Sequence, residues 1–155
     1  SAASRRARPS SPRNEETFVN SGCADCHSGP LLGGGSLEKF GLAKDYWTAT
    51  GSEKPDLGRF ATTQIEADRY VFRVSLLRNI AKTAPYFHDG SVAKLEQAIQ
   101  VMADVQLGSR LNDNEVAAVA AFLNALTGEV PEHFAQPLPE ARRRMTIDST
   151  GRLGN

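Results

Sequence analysis

The feature that most restricts what this chain can fold into is six residues long, Gly22-Cys23-Ala24-Asp25-Cys26-His27. Two thiols three positions apart, followed at once by a histidine, form the Cys-x-x-Cys-His pattern by which a c-type haem is attached to protein. Each thiol adds to one vinyl group of the same porphyrin, and the neighbouring histidine is then held under the iron as an axial ligand. Two other uses of the pattern fit less well. A structural zinc site needs four Cys or His ligands, whereas this chain has no further cysteine and, beyond His27, only His88 and His133. A redox dithiol belongs at a helix start inside a βαβ unit, and no such alternation surrounds the motif. One covalent haem c is the cofactor the motif calls for, with Cys23 and Cys26 as its attachment points and His27 on its iron.

A porphyrin is itself apolar filling, so 155 residues with 40% hydrophobic content suffice for one domain plus tails. The 18 basic and 18 acidic residues cancel, which leaves no case for nucleic acid or an anionic membrane as partner. Charge is uneven locally. Arg5, Arg6, Arg8 and Arg13 meet no acid within residues 1–13, and Arg142, Arg143 and Arg144 are adjacent near the other end. Such runs read as solvated tails. No apolar run approaches the roughly 18 residues of a membrane span, so no transmembrane segment is expected. Haem c is attached outside the bacterial cytoplasm and the chain opens on Ser1. The expectation is therefore a periplasmic or otherwise exported protein from which a secretion signal, or an upstream part, has been removed.

Along the chain, residues 1–13 read as a flexible lead, 14–130 as the haem domain and 131–155 as an extended tail. Asn14 is placed to cap a first helix, with Glu15 and Glu16 in its first turn and with Phe18 and Val19 running into the motif. Residues 28–35, rich in glycine, suit close passage of backbone against the porphyrin. Residues 36–60 look irregular, punctuated by Gly41, Gly51, Pro55 and Gly58, with Tyr46-Trp47 as a packing pair. A helical turn is expected near 63–68 and a loop at 83–90, where Pro85 and Gly90 are breakers. Leu95, Ala98, Ile99 and Met102 predict a helix over 93–104, ended by Gln106-Leu107-Gly108. Asn112 with Glu115 forms a capping box, and Leu111 with Val116 a hydrophobic staple, for a last helix closed by Gly128. No β-strand is expected. The fold class is all-α, a class I cytochrome c-like helical domain around one haem, with long loops and flexible tails.

The iron's sixth position has few candidates. Met102 leads, because its thioether lies on the apolar stripe of the helix before the last. His88 follows, in its Pro/Gly loop, while Met145 and His133 lie beyond the last helix. A methionine on an apolar stripe also serves as simple core filling, so the stripe alone leaves the choice open.

The residues that carry a family resemblance are Cys-Ala-Asp-Cys-His-Ser-Gly-Pro-Leu-Leu at 23–32, Asp-Leu-Gly-Arg-Phe at 56–60, Ala-Asp-Arg-Tyr-Val-Phe-Arg-Val at 67–74 and Leu-Arg-Asn-Ile at 77–80. To these add Thr-Ala-Pro-Tyr-Phe-His-Asp-Gly-Ser-Val-Ala at 83–93, Met102 with Gln106-Leu107-Gly108, and the run from Val116 to Gly128. From Gly22 to Gly128 the chain resembles the C-terminal, high-potential, electron-accepting haem domain of the bacterial di-haem cytochrome c peroxidases. The resemblance implies Met102 as sixth ligand. It also implies a calcium ion bound through the backbone carbonyls of Thr83 and Pro85, with a residue of a second haem domain completing the site. Where the family has proline before Ser-Leu-Arg-Asn, this chain has Val74-Ser75-Leu76-Leu77-Arg78-Asn79, so the local turn differs. Arg78 and His88 are the expected polar support for the haem propionates, since buried carboxylates want charge-assisted partners.

Three functions follow from these features. The first is one-electron transfer through a single His/Met haem with redox proteins as donor and acceptor. The second is the electron-accepting part of a peroxidase that reduces hydrogen peroxide at another haem, on a second domain or subunit. The third is a structural haem module anchored by its basic tails.

Overall fold

The computed structural model describes residues 11–129 together with residues 146–147 and 153–154. Its helices are α1 (Pro12–Asn20), α2 (Tyr46–Thr50), α3 (Phe60–Thr63), α4 (Leu95–Leu107) and α5 (Asp113–Ala125), joined by long loops with three single 3-10 turns. Two short strands, β1 (Leu37–Lys39) and β2 (Val71–Arg73), pair antiparallel with Glu38 opposite Phe72. A second pair, β3 (Thr146–Ile147) and β4 (Leu153–Gly154), lies in the C-terminal region.

The mostly helical class is as expected, but several boundaries move for local reasons. α1 starts at Pro12 with Ser11 before it, because proline at the first helical position brings a preset φ and lacks only an N–H that would be unpaired anyway. Asn14 is already inside the first turn, donating its N–H to the Ser11 carbonyl. Phe18 is buried and packs on Phe122 of α5 at 4.8 Å, whereas Val19 is half exposed. The stretch 36–60 is less irregular than its glycines suggest, since it holds β1 and α2. Elements of three to five residues are too short to show a period, so they escaped the pattern.

α4 extends past the expected 104 to Leu107, where Gly108 at φ +63 turns the chain and the N–H groups of Gly108 and Ser109 cap the carbonyls of Asp104 and Ala103. At α5 the capping box forms: the Asn112 side chain accepts from the Asn114 and Glu115 N–H groups, and the Glu115 carboxylate accepts from the Asn112 N–H at 2.8 Å. Gly128 does not close that helix. Leu126 and Thr127 tighten the last turn with bonds to Leu123 and Asn124, and the Gly128 N–H is donated instead to Asn79 Oδ1 at 2.7 Å.

Three buried clusters make up the core, the smallest being Tyr86, Val92 and Ala98, and each includes a residue of α4. On one side Phe18, Ile99, Ala103, Val119, Phe122 and Leu123 join α1, α4 and α5. On the other, Val101 and Val105 bury the fully enclosed Tyr46 among Phe40, Trp47, Tyr70, Phe72 and Phe87. α4 is apolar on both flanks, and the row between them, Leu95, Ala98 and Met102, faces a cavity.

Candidate haem-binding site

α1 ends against Gly22, whose left-handed φ of +85 turns the chain beside Leu107 of α4. A 3-10 turn over Cys23–Asp25 follows, and the His27 N–H returns to the Cys23 carbonyl at 3.0 Å. This one turn brings both thiols and the imidazole to the same place. Cys23, Cys26 and His27 all line a single cavity of about 580 Å³.

Burial raises the pKa of both thiols, most of all through lost solvation. Asp25 adds to the rise at both, and Glu38 adds to it at Cys26. The cysteines are thus neutral, unpaired thiols. Burial lowers the pKa of His27, with the carbonyls of Leu32 and Ser75 opposing it, so the imidazole is neutral and able to ligate. His27 Nδ1 is enclosed yet makes no hydrogen bond of good geometry. Gly33 explains how it is enclosed: a Cβ there would lie 2.2 Å from the Ser75 carbonyl oxygen and 3.4 Å from His27 Nδ1. Residues 28–35 do not line the cavity. The glycines allow close approach to Ser75 and His27, behind the ligand face, rather than to the porphyrin itself.

The remaining walls are mainly apolar. Phe18, Val119 and Leu123 close one part, Leu95, Ala98, Ile99 and Met102 of α4 another, and Phe40, Phe72, Tyr86 and Phe87 a third. Met102 therefore reaches the same cavity as His27. His88 is there too, its ring stacked on Phe72 at 4.5 Å and edge-on to Phe40 and Tyr46, which makes it part of the aromatic wall. Thr83 and Pro85 line the cavity on either side of the cis Ala84–Pro85 bond.

Arg78 is exposed and is not brought to this wall, because Leu77 beside it is the residue that turns inward. Arg73 is at the wall instead, with its Nε donating to the Gly34 carbonyl at 3.1 Å. Nothing in residue spacing marks Arg73; only the pairing of β2 with β1 puts it there. Gln106 and Glu38 were also not anticipated at the wall. Met145 and His133 lie outside the described residues, as do most of the basic tails. Among the described residues no group of three or more His, Cys, Asp or Glu could hold a metal ion, and no helix is long and apolar enough to cross a membrane.

Two neutral thiols, an imidazole and a thioether around one apolar cavity fit a haem c by the chemistry of the donors. No protein-family model matches the chain. Individual proteins do. The cytochrome c551 peroxidase of Nitrosomonas europaea is 48% identical over 122 residues, 79% of this chain and 35% of that protein. The cytochrome c551 peroxidase of Pseudomonas aeruginosa is 45% identical over 116 residues, 75% of this chain and 33% of its own length. The cytochrome c peroxidase Ccp of Escherichia coli is 41% identical across 73% of this chain and 24% of that protein. The chain thus spans about a third or less of the length of these curated relatives. Among solved structures, a MauG-like protein associated with microbial copper homeostasis superposes with a TM-score of 0.58 at 29% identity, covering 76% of this chain and 46% of that one. With its haem attachment motif opening onto an apolar cavity, and at 41–48% identity over about three quarters of its length, this chain is the counterpart of one domain-sized part of the bacterial cytochrome c peroxidases.

Proposed function

We propose that this domain carries single electrons through one haem c held by Cys23 and Cys26, with His27 and Met102 as axial ligands, and that it is the electron-accepting, C-terminal domain of a peroxidase. The observation that carries this reading is the presence of Met102 and His27 on the walls of one cavity. Bound there, the haem would supply one reversible electron at its iron. His27 ligates through Nε2, since Nδ1 is shut in by Gly33 and the Leu32 and Ser75 carbonyls. Met102 offers a neutral, soft sulfur, which favours the ferrous state. With both positions taken by protein, no place is left for peroxide, so its reduction belongs to another haem. The length of the relatives, more than twice that of this chain since 122 and 116 aligned residues make up only 35% and 33% of them, supports a second haem domain as the acceptor.

Small redox proteins are the donors this reading implies, met through brief encounters over a small interface. An exported location follows from the covalent haem. Calcium is proposed at the carbonyls of Thr83 and Pro85, by resemblance, with a residue of a second haem domain completing the site.

The test is spectroscopic and kinetic together. The haem-loaded chain is expected to be low-spin, to exchange electrons with a small cytochrome, and to show almost no peroxide turnover. Met102→Ala is expected to turn the ferric form high-spin and to lower the potential. Appreciable turnover by the unmodified chain would mean an open iron and overturn the carrier assignment. If Met102→Ala is silent while His88→Ala changes both spectrum and potential, His88 is the ligand.

A further inference from the structure

One polar residue on the cavity wall does more than close it. Gln106 lies one helical turn beyond Met102 on α4, in the same cavity-facing row as Ala98. Its side-chain amide is used at both ends: Oε1 accepts the Gly41 N–H at 3.0 Å, and Nε2 donates to the Lys39 carbonyl at 2.9 Å. The two backbone groups it holds flank Phe40, whose ring lines the cavity and stacks on Tyr46 at 4.6 Å.

Gly41 is a point of forced close approach. At φ +92 its Cβ would lie 2.6 Å from the Lys44 carbonyl oxygen and 3.1 Å from the Tyr46 nitrogen, so no side chain fits. Just beyond it the N–H groups of Ala43 and Lys44 both donate to the Val105 carbonyl, and Lys44 pairs with Asp104. The end of α4 is thereby strapped to residues 39–44. Gln106 is the strap's contact on the cavity side.

Resting on the reading of Met102 as sixth ligand, we propose that Gln106 is a positioning residue for it. By bridging Lys39 and Gly41, Gln106 fixes the Met102-bearing turn of α4 against the Phe40 wall and so sets how rarely the sulfur leaves the iron. Methionine cannot do this alone, because its unbranched side chain rotates about three bonds and adapts to whatever the backbone does. The amide can, because a slide of α4 along its axis would break the geometry of both hydrogen bonds at once.

The experiment uses the haem-loaded full chain in the ferric state and follows displacement of methionine by imidazole, read at the charge-transfer band that methionine sulfur gives ferric haem. At saturating imidazole the rate reports sulfur departure. Gln106→Ala is expected to raise that rate about thirtyfold, the effect of losing two hydrogen bonds of ordinary strength. Gln106→Glu keeps the acceptor for Gly41 but cannot donate to Lys39, so its rate should fall between. Asn112→Ala, which removes the α5 cap far from this wall, should lower the melting temperature and leave the rate unchanged. An unaltered rate in Gln106→Ala, or an equal rise in Asn112→Ala, overturns the positioning role. Met102→Ala separates the two levels of the argument. If the band survives it, the ligand assignment itself is wrong. If it removes the band while Gln106→Ala changes nothing, only the role of Gln106 falls.

Discussion

At Gly33 an added Cβ would stand 2.2 Å from the Ser75 carbonyl oxygen, on a residue whose φ is +129. Neither the contact nor the dihedral tolerates a side chain, so Gly33→Ala is expected to destabilise the domain by about 2 kcal/mol. The damage should reach the site, because the same Cβ would lie 3.4 Å from His27 Nδ1. Thermal unfolding of the haem-loaded variant measures the first effect and its ferric spectrum the second; an unchanged melting temperature would show that the loop yields freely. This residue also marks what sequence can and cannot say. Glycine richness showed that something approaches the backbone at 28–35, but not what. Cys23, Cys26 and His27 were legible because one contiguous run carries their chemistry. Arg73 was not, because its place depends on a strand pairing made across more than thirty residues, and Arg78 was expected there only on the general need of propionates for a charged partner.

Elements were legible in proportion to their length. α4 and α5, each of 13 residues, give a helical period and, for α5, a cap that formed as expected. α2, β1 and β2 are held by what surrounds them, above all by the aromatic wall around Tyr46, and no local pattern announces that wall. Tyr46 is fully buried, with its hydroxyl donating to the Asp56 carbonyl at 3.1 Å. Burial, helped by the nearby carboxylates of Asp56 and Asp89, pushes its pKa above the ordinary 10.0. For an acid whose folded pKa is raised, the stabilisation is fully present below the unfolded value and is lost as pH rises through the folded one. The domain should therefore weaken above about pH 10. Tyr46→Phe is expected to lose about 1 kcal/mol at neutral pH, since the Asp56 carbonyl is left without its partner, and to show a shallower alkaline loss. Denaturant midpoints of both proteins at neutral and alkaline pH decide it, and parallel curves would remove Tyr46 as the cause.

At the scale of the whole molecule, the cavity of about 580 Å³ is walled by members of three core clusters, so a haem bound there would join them into one core. Phe18, Ile99, Leu123, Phe40 and Phe72 each turn a face to it. A fully buried side chain of this kind contributes about 1.5–3 kcal/mol, and each of these gives up part of that when its haem-facing side meets water. Cys23→Ser combined with Cys26→Ser removes both covalent attachments and leaves His27 in place. The variant is expected to retain no haem on a denaturing gel and to lose on the order of 5 kcal/mol of stability, a large share of what a domain of this size has. Helical circular dichroism should partly persist, because the α5 cap and the α1–α5 contact do not touch the haem face alone, while binding of a hydrophobic dye should rise as the walls open. Chemical denaturation of variant and parent, followed by both signals, checks this. A haem-free variant as stable as its parent would mean that the walls close without the porphyrin, and the cavity would then have to be explained by some other occupant.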